Sequence, residues 1–304
     1  MKGMTLLLLV LAHYVLGQNS ISLIQTPARN EQIEVRFYYS MVKMPIEIVN
    51  GMIFVKASMN SDTGNYMLDT GAPMLVINQK NVNEYNAVKA SGVAGEFVIS
   101  TTKVNRFRWG GVEHRRIEAA LVDLSHFEAS SQYSIAGLIG YEMLKGYELF
   151  IDYGQKQLAL LDPNKNQLLQ ASVPNQIIAF VLQNHLPVVA VEIGGQTLHF
   201  ALDTGAGANL IDEKYLNILP KESYRKGMGE ELRGVDKNVR PVTATTIYNM
   251  QLGATDFNDM KFLFTDLSHL ESTAGLKIDG ILGFSFFQQI KCSINYPKQQ
   301  LYIW

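Results

Sequence analysis

A chain of 304 residues with 47% hydrophobic content is long enough to bury two cores of about 130 residues each. Its formal charge of -2 and the lack of any long basic run remove the electrostatic basis for binding nucleic acid or an anionic membrane surface. A single cysteine, Cys292, excludes an internal disulfide, so stability has to come from packing.

The chain opens with an apolar stretch over residues 5–16, preceded by Lys2 and closed by the small Gly17. It is short and N-terminal for a membrane span and predicts a secretory signal peptide over residues 1–17, hence an exported protein, periplasmic or secreted. An uncleaved anchor is the alternative. No cysteine lies near it, which disfavours a lipoprotein anchor. Residues 18–45 read as an N-terminal extension. Residues 33–39 have strand-like content but no assignable role.

From residue 46 onward, short apolar runs rich in β-formers alternate with turn signals, and no long helical periodicity appears. Asn50-Gly51, Gly194-Gly195 and Asp162-Pro163 mark turns, and residues 149–151, 158–161, 188–193 and 198–202 read as strands. This predicts an all-β protein with few short helices. Residues 166–176, rich in Asn, Gln and Ser, read as a linker between a first half over 46–165 and a second over 177–304.

The halves repeat one another. Tyr66-Met67-Leu68-Asp69-Thr70-Gly71-Ala72 recurs 134 residues on as Phe200-Ala201-Leu202-Asp203-Thr204-Gly205-Ala206. Gly95-Glu96 recurs at that offset as Gly229-Glu230. Beyond it the offset becomes 143: Asp123-Leu124-Ser125-His126 matches Asp266-Leu267-Ser268-His269, Leu138-Ile139-Gly140 matches Ile281-Leu282-Gly283, and Ile151-Asp152-Tyr153 matches Ile294-Asn295-Tyr296. The second half therefore gains nine net residues between about 230 and 252. So long a period indicates two whole lobes rather than a solenoid.

An aspartate delivered by a buried strand into a glycine turn is held where its neighbours set its pKa. Two of them suggest a carboxylate pair that cannot ionise together. A third Asp-Thr-Gly, at Asp62, lies among Asn60, Ser61 and Asn65 and reads as a hairpin turn. His126 and His269 follow Asp and Ser in a pattern that fits helix capping better than metal binding or catalysis. Cys292 reads as a small buried hydrophobe rather than a reactive thiol.

The paired motifs resemble the aspartic proteases of retroviral and pepsin type, and most of all bacterial retropepsin-like proteins that carry two lobes in one chain. The resemblance covers roughly residues 46–304 and implies two closed or partly open β-barrel lobes. Asp69 and Asp203 are then the catalytic pair, supported by Thr70, Gly71, Ala72, Thr204, Gly205 and Ala206, with Gly140 and Gly283 beside them opening short helices. Cross-bracing by the two threonine hydroxyls is implied as well. The segments 90–102 and 226–246 take the place of hairpins over the cleft, without a matchable flap tyrosine. No cofactor or metal is implied. Alanine at 72 and 206 removes one hydroxyl donor to each carboxylate and places the working range at about pH 4 to 6.

Three functions compete on these grounds. The first is an endopeptidase, monomeric as an internal pseudo-dimer, acting on peptide or protein substrates with no stable membrane span after signal cleavage. The second is a catalytically silent peptide-binding module on the same lobes. The third is a structural scaffold of the same fold. Two intact carboxylates disfavour the silent module, because a binder gains nothing from burying them.

Overall fold

The computed structural model describes residues 41–80, 88–92, 95–165, 172–233, 239–275 and 277–304. The expected signal peptide, residues 18–40 of the extension and residues 166–171 of the linker lie outside the described residues. Among the described residues no helix is long and apolar enough to cross a membrane.

The strands form three sheets. In the first lobe, Met52–Met59 and Asp62–Leu68 make a hairpin, and Asp62–Leu68 runs parallel to Gly137–Ile139. The order continues through Leu75–Asn78 and Val112–Val122 to Gly95–Trp109, which pairs back onto Met52–Met59 and closes a six-stranded barrel. The second lobe repeats this with Leu186–Ile193, Gln196–Leu202, Gly280–Leu282, Asn209–Asp212, Met260–Thr265 and Val239–Ile247. There the long closing strand is interrupted, and the short Met250–Leu252 touches Leu186–Ile193 at Glu192↔Gln251 alone. One barrel is closed and the other partly open, as the resemblance implied.

Turn chemistry sets the registers. Asn50 and Gly51 both adopt positive φ, 51° and 84°, in the hairpin joining Glu47–Val49 to Met52–Met59. That pairing of angles matches the right-handed twist of the flanking strands. Asn60, with φ 55°, turns the chain into Asp62, which is exposed at the first position of its strand. The third Asp-Thr-Gly is therefore a hairpin element.

The third sheet joins the lobes. Its order is Met41–Pro45, Gln157–Leu161, Glu148–Asp152, Lys291–Asn295, Gln300–Ile303, Gln176–Ala179, all antiparallel. Each lobe supplies three strands, and they meet where Glu148–Asp152 pairs with Lys291–Asn295. Residues 41–45, read from sequence as the end of an extension, are thus a strand of this sheet, and Gln176, read as the last linker residue, opens another. Neither strand has a counterpart signal in the motif repeat, because its partners lie more than a hundred residues away. Cys292 sits fully buried in the joining strand, opposite Ile151. Burial pushes its thiol well above the usual range, so it packs as an apolar side chain. At the same seam, Asn295 Nδ2 donates to Glu148 Oε2 at 2.7 Å, both residues being fully buried.

His114 lies opposite Phe107 on the barrel wall, 2% exposed, edge-on to Tyr147 with ring centroids 6.2 Å apart. Neither ring nitrogen has a hydrogen-bond partner among the described residues. Burial lowers its pKa to about 4. A depressed histidine favours the neutral ring in the fold, so its contribution is intact above about pH 6.5 and is lost as pH falls towards 4. His114→Phe keeps the volume and removes the titration. The variant should lose less stability between pH 7 and pH 4.5 than the parent, by up to about 1.4 kcal/mol per pH unit, in urea unfolding midpoints at both pH values. Equal losses in the two proteins would contradict this role.

Candidate active site

Each Asp-Thr-Gly-Ala loop leaves a central strand at its parallel pairing with the later Gly-ending segment. Leu68 registers with Ile139 and Leu202 with Leu282. The next peptide then anchors each aspartate: Asp69 N–H donates to Ile139 O at 3.1 Å and Asp203 N–H to Leu282 O at 2.9 Å. Tyr141 N–H and Phe284 N–H return to Ala72 O and Ala206 O at 2.8 and 2.7 Å, locking the far side of each loop. Gly140 and Gly283 stand at these crossings. A Cβ on Gly140 would sit 2.3 Å from Met74 O, and one on Gly283 2.4 Å from Ala206 O. The expected short helices follow, a single turn over Tyr141–Met143 and an α-helix over Phe284–Phe287.

The two loops then bond to each other. Thr70 N–H donates to Thr204 Oγ1 at 3.2 Å and Thr204 N–H to Thr70 Oγ1 at 3.0 Å. Each hydroxyl passes its own proton to the opposite strand, Thr70 to Leu202 O at 3.0 Å and Thr204 to Leu68 O at 2.9 Å. Both threonines are fully buried. Thr70→Val or Thr204→Val keeps the shape but strands one buried N–H and one buried carbonyl. Each substitution should cost about 1–3 kcal/mol in denaturant unfolding, and an unchanged midpoint would contradict the cross-brace.

This brace brings Asp69 and Asp203 face to face at the lobe boundary, 0% and 1% exposed. The glycine of each loop presses on the opposite carboxylate. A Cβ on Gly71 would lie 2.4 Å from Asp203 Oδ2, and one on Gly205 2.4 Å from Asp69 Oδ1. Glycine is required here by the carboxylate of the other lobe. Gly71 N–H reaches both acids, Asp69 Oδ1 at 2.9 Å and Asp203 Oδ1 at 3.1 Å. Ala72 N–H adds a second bond to Asp69 Oδ1 at 3.1 Å, and Gly205 N–H holds Asp203 Oδ1 at 2.8 Å. The other oxygens, Asp69 Oδ2 and Asp203 Oδ2, are buried and take no hydrogen bond from the described residues.

Burial raises both carboxyls, and the charge of Asp203 raises Asp69 further; the N–H donors of Gly71, Ala72 and Gly205 pull in the other direction. The pair therefore holds a proton to higher pH than either acid would alone, and its titration belongs to the pair. A raised carboxyl stabilises the fold fully below its unfolded pKa and loses that contribution as pH rises through the folded one. Asp203→Asn should consequently raise the melting temperature at pH 7.5 by a few degrees, roughly 1–3 kcal/mol, and flatten the decline of stability from pH 4 to 8. A variant that melts lower than the parent at pH 7.5 would show that the pair is not strained by its charge.

Several neighbours carry no motif in the sequence. Tyr153 OH donates to Gly51 O at 3.4 Å, and Tyr296 OH is buried with no hydrogen-bond partner among the described residues; both phenols are raised first by burial and then by nearby charges that include Asp203. The recurrence of Ile-Asp-Tyr as Ile-Asn-Tyr at the 143-residue offset signals this tyrosine pair. Asn209 Oδ1 accepts from Gly283 N–H at 2.9 Å, where the first lobe has the apolar Leu75. His185 Nε2 lies 2.7 Å from Gly71 O.

The remaining expected groups lie elsewhere. His126 and His269 sit in the short helices Ser125–Ser131 and Ser268–Ala274, whose starts are held by Asp123 Oδ1 and Asp266 Oδ1 accepting from Ser125 N–H and Ser268 N–H at 3.0 and 2.8 Å. The two segments expected as hairpins are hairpins, Val88–Gly92 with Gly95–Trp109 and Tyr224–Arg233 with Val239–Ile247. The strand Val88–Gly92 contacts the helix Ser268–Ala274 of the other lobe.

A family model described as "Aspartyl protease" matches residues 55–143 and 189–286, once per lobe and each time across an Asp-Thr-Gly-Ala loop. No curated protein sequence matches the chain. Among solved structures, basic 7S globulin from soybean is similar at 8% identity with a TM-score of 0.48, over 87% of this chain and 94% of that one. A likeness at that level carries no functional argument.

Proposed function

Since the chain belongs to the aspartyl protease family, its model matching both lobes, we propose that it is an endopeptidase in which Asp69 and Asp203 activate one water against a peptide carbonyl. The observation that carries this reading is the shared N–H of Gly71, bonded to both carboxylates within 3.1 Å in a site closed to solvent. A geometry that donates to two acids at once supports their acting as one acid–base unit.

With one proton on the pair, the ionised oxygen takes a proton from water as the water attacks, and the protonated partner donates to the carbonyl oxygen as negative charge develops there. As the C–N bond breaks, the carboxyl that took the water's proton gives it to the leaving nitrogen, and the hydroxyl formed from the carbonyl returns its proton to the other carboxylate. No covalent intermediate is required. Ala72 and Ala206 supply only backbone N–H groups, so less donation opposes the upward push of burial, which supports a mildly acidic range of about pH 4 to 6. Substrates are extended peptides passing between the lobes, with the hairpin Val88–Gly92 with Gly95–Trp109 as the cover. Export rests on residues 5–16, and the internal pairing of lobes makes the monomer sufficient.

Either Asp69→Asn or Asp203→Asn leaves a single carboxylate that cannot serve as base and acid together, and kcat should fall by at least about a thousandfold in a fluorogenic peptide assay. Asp62→Asn should match the parent. The parent's kcat/KM should trace a bell in pH, because only the singly protonated pair is competent. Full activity in a folded Asp203→Asn variant sinks the assignment, and peptide affinity without turnover in the parent marks the silent binding module instead.

A further inference from the structure

The two lobes repeat closely at the carboxylates and differ at one hairpin beneath them. Asn50-Gly51 in the first lobe corresponds, 134 residues on, to Asn184-His185 in the second. Both turns join equivalent strands, Glu47–Val49 to Met52–Met59 and Val181–Gln183 to Leu186–Ile193. In the first turn position 51 has φ 84° and needs glycine. In the second only Asn184 takes positive φ, 56°, so position 185 is free to carry a side chain.

That side chain is directed into the other lobe's loop. His185 is 6% exposed, and its Nε2 lies 2.7 Å from Gly71 O. A carbonyl oxygen only accepts, so Nε2 carries the proton. The peptide that receives this bond continues as Ala72 N–H, which donates to Asp69 Oδ1 at 3.1 Å. A line of donors thus runs from His185 through one peptide unit to one carboxylate. At the equivalent place under Asp203 stands Gly51, which has no side-chain donor and packs on the ring of Phe284.

We propose that His185 is a positioning residue for the carboxylate pair: its Nε2–H fixes and polarises the Gly71–Ala72 peptide, strengthens the bond to Asp69, and makes the two aspartates inequivalent. Hydrogen bonds in series polarise one another, so the Ala72 N–H becomes a better donor to a charged oxygen. The titratable groups around the ring are Tyr141, at 6.3 Å between centroids, Tyr296 behind it at 5.5 Å from Tyr141, and Asp69 across the peptide. Burial holds both phenols neutral, and it keeps the imidazole neutral by lowering its pKa to about 4.

The test compares His185→Phe, which fills the space without a donor, with His185→Gln, whose amide can still donate. Its kinetic arm rests on the peptidase reading; its spectroscopic arm does not. In full-length protein labelled with carboxyl-13C aspartate, the lower apparent pKa of the pair should rise by about 0.3–0.5 pH unit in His185→Phe and stay near the parent value in His185→Gln. The acid limb of kcat/KM should move with it, and kcat should fall about tenfold in His185→Phe with substantial recovery in His185→Gln. If the parent cleaves no peptide, the peptidase reading fails while the carboxyl titration still decides this one. Unmoved titration in His185→Phe overturns the proposal. Equal impairment of both variants with unmoved limbs also overturns it, because that result marks a packing role alone.

Discussion

Everything at the centre of this molecule depends on two glycines, each pressed against the other lobe's carboxylate. Gly71 and Gly205 leave no room for a Cβ, which would fall within 2.4 Å of an acid oxygen. That approach is tolerable only because Thr70 and Thr204 tie the loops together with four buried hydrogen bonds. The aspartates are therefore placed by the partner lobe as much as by their own. Neither half holds both carboxylates.

Bringing two acids out of water costs free energy, and the fold offsets part of that cost with backbone donors and keeps the rest. Gly71, Ala72 and Gly205 supply N–H groups to Oδ1 of the two acids, while Oδ2 of each has no donor among the described residues. The surplus is what raises the pair's affinity for a proton. The lobes are also joined by packing at the seam of Glu148–Asp152 with Lys291–Asn295, where Ile151 and Cys292 stand opposite each other and are fully buried.

Much of this was legible in the sequence, because a duplicated site writes itself twice. The Asp-Thr-Gly-Ala loops and the Gly140 and Gly283 crossings follow from local spacing, and the structure places them accordingly, while the hairpin expected at Asp62 turns two residues earlier, at Asn60-Ser61, and leaves Asp62-Thr63-Gly64 in its second strand. The joining sheet did not announce itself. Met41–Pro45 and Gln176–Ala179 are edge strands of five and four residues, half-exposed, and are specified by partners remote in the chain. His185 escaped for the opposite reason: it departs from the repeat, and a motif search rewards agreement. The signal lay in the mismatch, a histidine standing where the first lobe requires glycine.

In the function proposed for this protein both lobes build one site, with two carboxylates acting as a unit. Calorimetric titration with a statine-type peptide tests it directly, since its hydroxyl imitates the tetrahedral intermediate and needs both acids to bind tightly. One inhibitor should bind per monomeric chain, with a similar large loss of affinity in Asp69→Asn and Asp203→Asn. Two inhibitors per chain, or tight binding that survives the loss of either aspartate, would contradict it.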